Sequence, residues 1–352
     1  MTNFSYDILV FIGRFQPFHL GHKFVVDAAL EQAQHVLLPI GSANRSASLR
    51  DPWSFDERVK MIEKVYPYEV STGRLILKPL NDTLYNDDAW AGQVQRLVDN
   101  TIKTLELENP KIGLIGHSKD KTSYYLKLFP QWDSESVKHE VGVFNATDIR
   151  AQYFTGAPTI PHDICPPEIN TYLKDYMMTA PFKRMREEAD WVKEHKASWQ
   201  NAPYPPSFVT VDALVVQSGH ILMIKRGGHP GMGQWALPGG FVNHEQTLLD
   251  NAIRELKEET KMSDAHGQFP IGKLKGFLAG CEVFDDPKRS VRGYTVTHAF
   301  LFKLPNAKNL MKVIGSDDAV QAEWIPLGKI DPTMVFEDHY FIINKMLDGG
   351  VQ

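Results

Sequence analysis

Two stretches of the sequence place reactive side chains at spacings that chemistry can use. The first is Gly13 to His22, GRFQPFHLGH, which leads from an apolar run into a helix start. His19 and His22 are three apart, so both imidazoles fall on one face of the first helical turn. A helix N-terminus offers unpaired N–H groups and a partial positive charge, a setting that suits phosphate. Gly13 and Gly21 let the backbone approach a ligand with no Cβ in the way. Two imidazoles beside a phosphate can stabilise the charge that grows as it is attacked. That reaction needs no protein nucleophile, because positioning and electrostatics carry it.

The second stretch is Leu237 to Met262, LPGGFVNHEQTLLDNAIRELKEETKM. Within it Leu248, Leu249, Ala252, Ile253 and Leu256 make one apolar helical face, while Glu255, Glu258 and Glu259 crowd another. Neighbouring carboxylates repel and weaken a helix, a local conflict expected where oxygen ligands hold a hard cation. Mg²⁺ there can bridge a diphosphate and activate water.

These stretches need elements to hold them. Tyr6–Ile12, His35–Gly41, Arg74–Leu80, Lys111–Gly116 and Val137–Phe144 read as strands; Leu20–Gln34, Phe55–Val65 and Asp88–Leu105 read as helices between them. Strands spaced by helical crossovers predict a parallel α/β sheet with ligands at the strands' carboxyl ends. The proline-rich NAPYPPS of 201–207 marks a boundary. Beyond it Phe208–Val216 and His220–Arg226 read as a hairpin turning at Ser218-Gly219, followed by a helix over Leu248–Glu259 and strands at Thr295–Leu304 and Ala322–Pro326. The expected organisation is a first domain over 1–180, a linker over 181–206 and a mixed α+β domain over 207–352.

Composition fits two ordinary domains. The 352 residues exceed one usual core, and 43% hydrophobic with 23% charged is a soluble globular balance. A net charge of −5 argues against nucleic acid as a partner, and no apolar run is long enough to span a membrane. Cys165 and Cys281 match no metal or disulfide spacing, so a reducing cytoplasm is the expected home. Oligomeric state is not written in the sequence, and a homo-oligomer stays open.

His19-Leu20-Gly21-His22 resembles the HxGH motif of nucleotidyltransferases, and Asn145-Ala146-Thr147-Asp148-Ile149-Arg150 is similar to their SxTxxR box, with Asn145 in place of the serine. The resemblance implies a Rossmann-like fold that binds ATP through Gly13, Phe15, Gly21, Asn145 and Thr147, with His19, His22 and Arg150 catalytic. Thr147 is expected to cap N–H groups and Arg150 to grip phosphate oxygens. Leu80 to Trp90 resembles the nicotinamide mononucleotide (NMN) pocket of NMN adenylyltransferases, which assigns Asp82, Asn86 and Trp90 to that substrate. Trp90 can equally be a packing residue. Gly116 to Asp120 resembles a loop near the ATP phosphates, making Lys119 either a ligand contact or a surface lysine. Arg45 and Arg50 face either phosphate or solvent.

Gly240, Arg254, Glu255, Leu256, Glu258 and Glu259 fall in register with the Nudix box. The resemblance makes Glu255, Glu258 and Glu259 the Mg²⁺ (or Mn²⁺) ligands and catalytic groups. Gln246 stands where the box has a glutamate and Lys261 where it has its closing glycine, so this helix end needs a solution other than glycine's left-handed turn. Phe284 to Gly293 resembles the ADP-ribose-preferring branch and offers Arg292 to a phosphate or ribose oxygen. Asp317 and Asp318 are candidates for a further carboxylate. The order of motifs is similar to the fusion of NMN adenylyltransferase with a Nudix hydrolase, implying an α/β nucleotidyltransferase sheet plus an α+β Nudix domain. Its implied substrates are ATP, NMN and ADP-ribose. Phosphopantetheine or flavin mononucleotide as acceptor, or a binding-only Nudix domain that senses ADP-ribose, are the alternatives.

Overall fold

Tyr6–Val10 (β1) is flanked by neighbours on both sides, and Ile8, Leu9 and Val10 are wholly buried, as a central parallel strand requires. The computed structural model describes residues 4–117, 128–137, 145–156, 158, 163–263 and 274–348. It divides into two compact units, Met1–Arg186 and Glu187–Gln352.

In the first unit β1 is followed by α1 (Leu20–Gln32), β2 (Ala33–Ile40), α2 (Phe55–Val65), α3 (Pro67–Ser71), β3 (Leu75–Pro79), α4 (Asp87–Thr104), β4 (Ile112–His117) and β5 (Asp133–Val137). Helices α5 (Ala146–Phe154) and α6 (Pro167–Tyr176) complete it. The sheet order is β3-β2-β1-β4-β5, all parallel. The chain steps outward from β1 to β3, then returns to β1's other side, so a crevice opens at the carboxyl ends of β1 and β4. Ile8, Val10, Leu37, Leu80, Val94, Val98 and Leu114 make the core beneath it.

The described fifth strand overlaps the expected one only at Val137. The fifth lies at Asp133–Val137, ahead of Val137–Phe144, whose residues 138–144 lie outside the described residues. DSESV is polar because it is a partly exposed edge strand, and such a strand carries no apolar pattern to read.

Helix α7 (Ala180–Ala197) runs through much of the stretch read as a linker, and the division between units falls inside it. Its later half is tied down within the second unit. Glu188 accepts from the Gly231 N–H at 3.0 Å, His195 meets Phe208 at 5.7 Å, and just beyond the helix Trp199 meets Phe208 at 5.6 Å.

The second unit continues with β6 (Phe208–Gln217), β7 (His220–Arg226), β8 (Trp235–Ala236), β9 (Gly239–Phe241), α8 (Leu248–Thr260), β10 (Leu278–Phe284), β11 (Thr295–Lys303), β12 (Ala319–Pro326) and α9 (His339–Met346). The order is β10-β11-β6-β7-β12, with β8 on β7 and β9 on β6. Only β6 and β11 run parallel among these pairs, so the sheet is mixed. Ser218 and Gly219 both take positive φ in the β6–β7 turn, the twist a two-residue hairpin needs. Helix α8 buries Ala252, Ile253 and Leu256 against Val211, Phe300 and Trp324.

Lys261 corrects the expectation for the end of α8. It adopts the left-handed conformation after all, at φ 40° and ψ 36°. The last carbonyls of the helix are held from outside, with Ile314 N–H on Thr260 at 2.8 Å and Ser316 N–H on Glu259 at 3.0 Å, so tertiary bonds impose the turn on a residue that disfavours it. Lys261→Gly is therefore expected to raise the stability of the second unit by about 1 kcal/mol, read as a higher urea midpoint at unchanged m-value.

Candidate active sites

The loop between β1 and α1 carries the first site. Gly13 is held on the β2 end through Gly41 N–H at 2.8 Å, and a Cβ there would strike the Phe15 ring at 2.8 Å. Phe15 itself has φ 54° and is buried. His19 is the N-cap residue of α1 and donates its own N–H to His22 Nδ1 at 3.3 Å. The two imidazoles stack at 3.6 Å, and Phe15, Phe18 and Phe11 close around His22 at 4.9, 5.7 and 6.2 Å. The first turn of α1 contains no acidic residue, so the positive helix end is uncompensated by its own side chains.

Cationic side chains gather beside it. Arg150 is buried and donates to Leu49 O at 3.1 Å, Gln16 O at 2.8 Å and Thr147 Oγ1 at 3.3 Å. Its burial, with Arg14 nearby, lowers its pKa to about 10. Arg50 is pushed down by burial and then by Arg14. Asp51, 3.3 Å from Arg14, is the counter-charge. Sequence reasoning missed Arg14, Asp51 and Arg58. Arg58 donates to the carbonyls of Arg14, Gly41, Ser42 and Ser54, which braces both loops at the strand ends, and no local signal marks it.

Several expected roles shift. Asn145, not Thr147, caps α5, accepting from Thr147 N–H at 2.9 Å, because the side chain one residue ahead of the helix reaches its free amide. Thr147 accepts from Arg150 instead, and Arg150 is turned onto loop carbonyls. Asp82 is bound by Ser42 Oγ at 3.0 Å and lies 3.8 Å from Arg45. Asn86 caps α4 through Ala89 N–H at 3.0 Å, and Trp90 packs on the core with Phe129 at 6.3 Å. Lys119 lies outside the described residues.

The second site is built where β9 meets α8. Glu259 is buried and accepts from Gly239 N–H at 2.9 Å. Burial pushes its carboxyl up to about 8, opposed by that hydrogen bond and reinforced by Glu255. Burial also raises Glu255, with Arg254 opposing and Glu258 and Asp317 reinforcing. Arg254 bonds both Glu255 and Glu258 at 2.7 Å, drawing two of the carboxylates onto itself. Among the described residues no three His, Cys, Asp or Glu side chains converge as a cation cage. The donor set still fits a hard divalent cation: clustered anionic oxygens, one of them buried and held by a backbone N–H. Gly240 leaves the Glu255 carboxylate accessible to backbone, since a Cβ would stand 2.8 Å from its Oε1.

The loop after Val313 carries both candidate aspartates, in different surroundings. Asp317, at φ 57°, acts on Glu255, and lines a cavity of about 830 Å³ with Lys257, Glu258, Lys261 and Ser316. Asp318 instead acts on Arg226. Gln246 is exposed. Its carbonyl accepts from Asn251 at 3.3 Å, and fully buried Asn251 fixes that loop, a role sequence reasoning missed. Arg292 is clamped between Phe241 and Phe336 and lies 3.5 Å from Glu337.

The cytidylyltransferase-like family model matches residues 10–141 and the NUDIX domain model residues 206–345. A crystal structure of a bifunctional NMN adenylyltransferase/ADP ribose pyrophosphatase from Francisella tularensis, complexed with AMP and Mn ion, is similar over 98% of this chain and 99% of that one, at 35% identity and TM-score 0.86. The nicotinamide/nicotinic acid mononucleotide adenylyltransferase of Acinetobacter baylyi is 36% identical over 188 residues, 53% of this chain and 94% of that protein. The ADP-ribose pyrophosphatase of Methanocaldococcus jannaschii is 34% identical over 139 residues, 40% of this chain and 72% of that protein. No helix among the described residues is long and apolar enough to cross a membrane.

Gly240→Ala is expected to displace the Glu255 carboxylate and weaken Mn²⁺ binding by roughly 10–100-fold, measured from the free-Mn²⁺ EPR signal; unchanged affinity would contradict the close approach.

Proposed function

The chain belongs to the family of bifunctional NMN adenylyltransferase/ADP ribose pyrophosphatase enzymes, and we propose that it carries both activities. The first unit transfers the adenylyl group of ATP to NMN, giving NAD and diphosphate. The second hydrolyses ADP-ribose to AMP and ribose 5-phosphate. For the first reaction the reading is carried by the stacked His19–His22 pair at the N-terminus of α1, at the carboxyl end of β1. An NMN phosphate oxygen bonds to the α-phosphorus of ATP as the bond to the departing diphosphate breaks. His19 and His22 stabilise charge on the α-phosphoryl oxygens, and Arg14 and Arg50 supply the cationic field. Arg150 joins them by releasing a loop carbonyl or else acts by holding the loops in place. Gly13 and Phe15 shape the loop for ATP, Gly21 the first turn of α1, and Asn145 with Thr147 orders α5. Asp82, Asn86 and Trp90 form the NMN side of the crevice, the first two through the loops they fix.

For hydrolysis the carrying observation is the buried Glu259 held by Gly239 beside Glu255. Mg²⁺, or Mn²⁺ in its place, would be held by Glu255, Glu259 and Glu258 and would polarise the diphosphate and lower the pKa of attacking water. Asp317 is the residue of this chain that accepts the water's proton, because it lines the cavity together with Glu258. Arg292, braced by Glu337, presents a fixed aromatic–guanidinium edge with Phe241 to the substrate.

The experiment measures NAD from ATP plus NMN, and AMP from ADP-ribose with Mg²⁺, in the same preparations. His19→Ala is expected to lower NAD formation by roughly 10²–10³-fold and leave AMP release intact. Glu259→Gln is expected to do the reverse. Asp317→Asn should cut hydrolysis by roughly 10²–10⁴-fold, with Asp318→Asn near wild type. ADP-ribose that binds the wild type without releasing AMP would replace the hydrolase reading with a sensor.

A further inference from the structure

Three consecutive residues at the start of α9 each bind a different part of the second site's surroundings. Glu337, at φ 42°, accepts from Val291 N–H at 3.1 Å and lies 3.5 Å from Arg292. Asp338 takes a bidentate pair from Arg289, at 2.9 and 2.8 Å, with both side chains almost wholly buried. His339 turns the other way. Its Nδ1 accepts the Leu237 N–H at 3.0 Å, and its Nε2 lies 3.7 Å from Asp212 Oδ1. Asp212 Oδ2 in turn accepts from Thr297 at 2.5 Å.

The Leu237–Gly240 turn is what this arrangement grips. Pro238 O accepts from Ala213 N–H at 2.8 Å, and any Cβ on Gly239 would collide with the Val211 carbonyl and Asp212. One residue after that carbonyl, the Gly239 N–H meets Glu259. Just before the turn, Phe336 N–H bonds Trp235 O at 2.8 Å, so the start of α9 and the turn are registered to each other. Burial drives the His339 pKa down, with Asp212, Asp338 and Glu337 opposing and Arg289 reinforcing, which keeps the ring neutral and Nδ1 an acceptor. An aliphatic residue of the same size would fill the space and leave the buried Leu237 N–H without that partner.

We propose that His339 is a positioning residue for the hydrolytic site: by holding the Leu237 N–H it fixes the Leu237–Gly240 turn, and through the Gly239 N–H it aims the Glu259 carboxylate. The proposal rests on the hydrolase reading of the second unit. It assigns His339 no contact with substrate. Outer partners of this kind set ligand orientation, and their loss typically costs roughly 10–100-fold in metal affinity or activity.

The test uses the full chain with His339→Leu, His339→Asn and His339→Gln. The carbonyl of Asn reaches the position of Nδ1, whereas that of Gln reaches the position of Nε2. His339→Leu and His339→Gln are expected to lower kcat for ADP-ribose by roughly 10–100-fold with KM little changed, to raise the Mn²⁺ dissociation constant by a similar factor in EPR titration, and to speed amide exchange over 236–241. His339→Asn should restore most of each, and adenylyl transfer should stay at the wild-type rate throughout. Should His339→Leu fail to fold, the Asn-against-Gln comparison decides alone. Equal behaviour of Asn and Gln in Mn²⁺ binding and exchange overturns the proposal, as does a folded Leu variant with wild-type values. A wild type that releases no AMP would sink the hydrolase reading, while the exchange comparison still judges the turn.

Discussion

Like charges brought out of water repel one another and lose hydration, and each unit holds such a gathering at its centre. In the first, burial and then the nearby Arg14 lower the proton affinity of Arg50 and Arg150, and Asp51 is Arg14's counter-charge. In the second, burial raises Glu255 and Glu259, with Glu258 and Asp317 adding to Glu255 and Glu255 adding to Glu259. Neither cluster is self-sufficient. Loop carbonyls occupy Arg150, and Arg254 with one backbone N–H occupies the glutamates. On the proposed function, a polyphosphate in one case and a divalent cation in the other would supply the missing charge, and the rest of each fold would keep these groups from dispersing.

The backbone records the same constraint. Non-glycine residues with positive φ include Phe15 and Ser42 beside the first site, and Lys261, Asp317 and Glu337 beside the second. Such conformations persist only where surroundings over-determine them. Here the surroundings are identifiable: Arg58 on the Ser42 and Gly41 carbonyls, the Thr260 and Glu259 carbonyls bonded from the loop at 314–316, and Val291 on Glu337. Stability in these loops comes from hydrogen bonds between segments distant in sequence, and little of it from local propensity.

The two candidate sites were legible in the residue types and spacings, because each motif is short and local in sequence. Histidines three apart at a helix start and glutamates at three and four must share a face whatever the rest of the chain does. The buried strands were legible for a similar reason, since an apolar run bounded by polar turns has few other uses. The edge strands Asp133–Val137 and Leu278–Phe284 escaped because they alternate or lack apolar residues where one side faces water.

What only the tertiary structure decided is which side chain meets which. Thr147 and Asn145 both carry a capping oxygen, and the start of α5 chose between them. Asp317 and Asp318 are indistinguishable in sequence; the fold puts Asp317 in the lining of the cavity and bonds the Asp318 carbonyl to Gly227 N–H. Lys261 takes glycine's conformation because bonds from 314–316 hold the helix end. Arg58 and His339 stand 44 and 102 residues from backbone groups they serve. Local sequence fixes helical and strand spacing through covalent geometry, whereas contacts between remote segments exist only once the chain has closed around them.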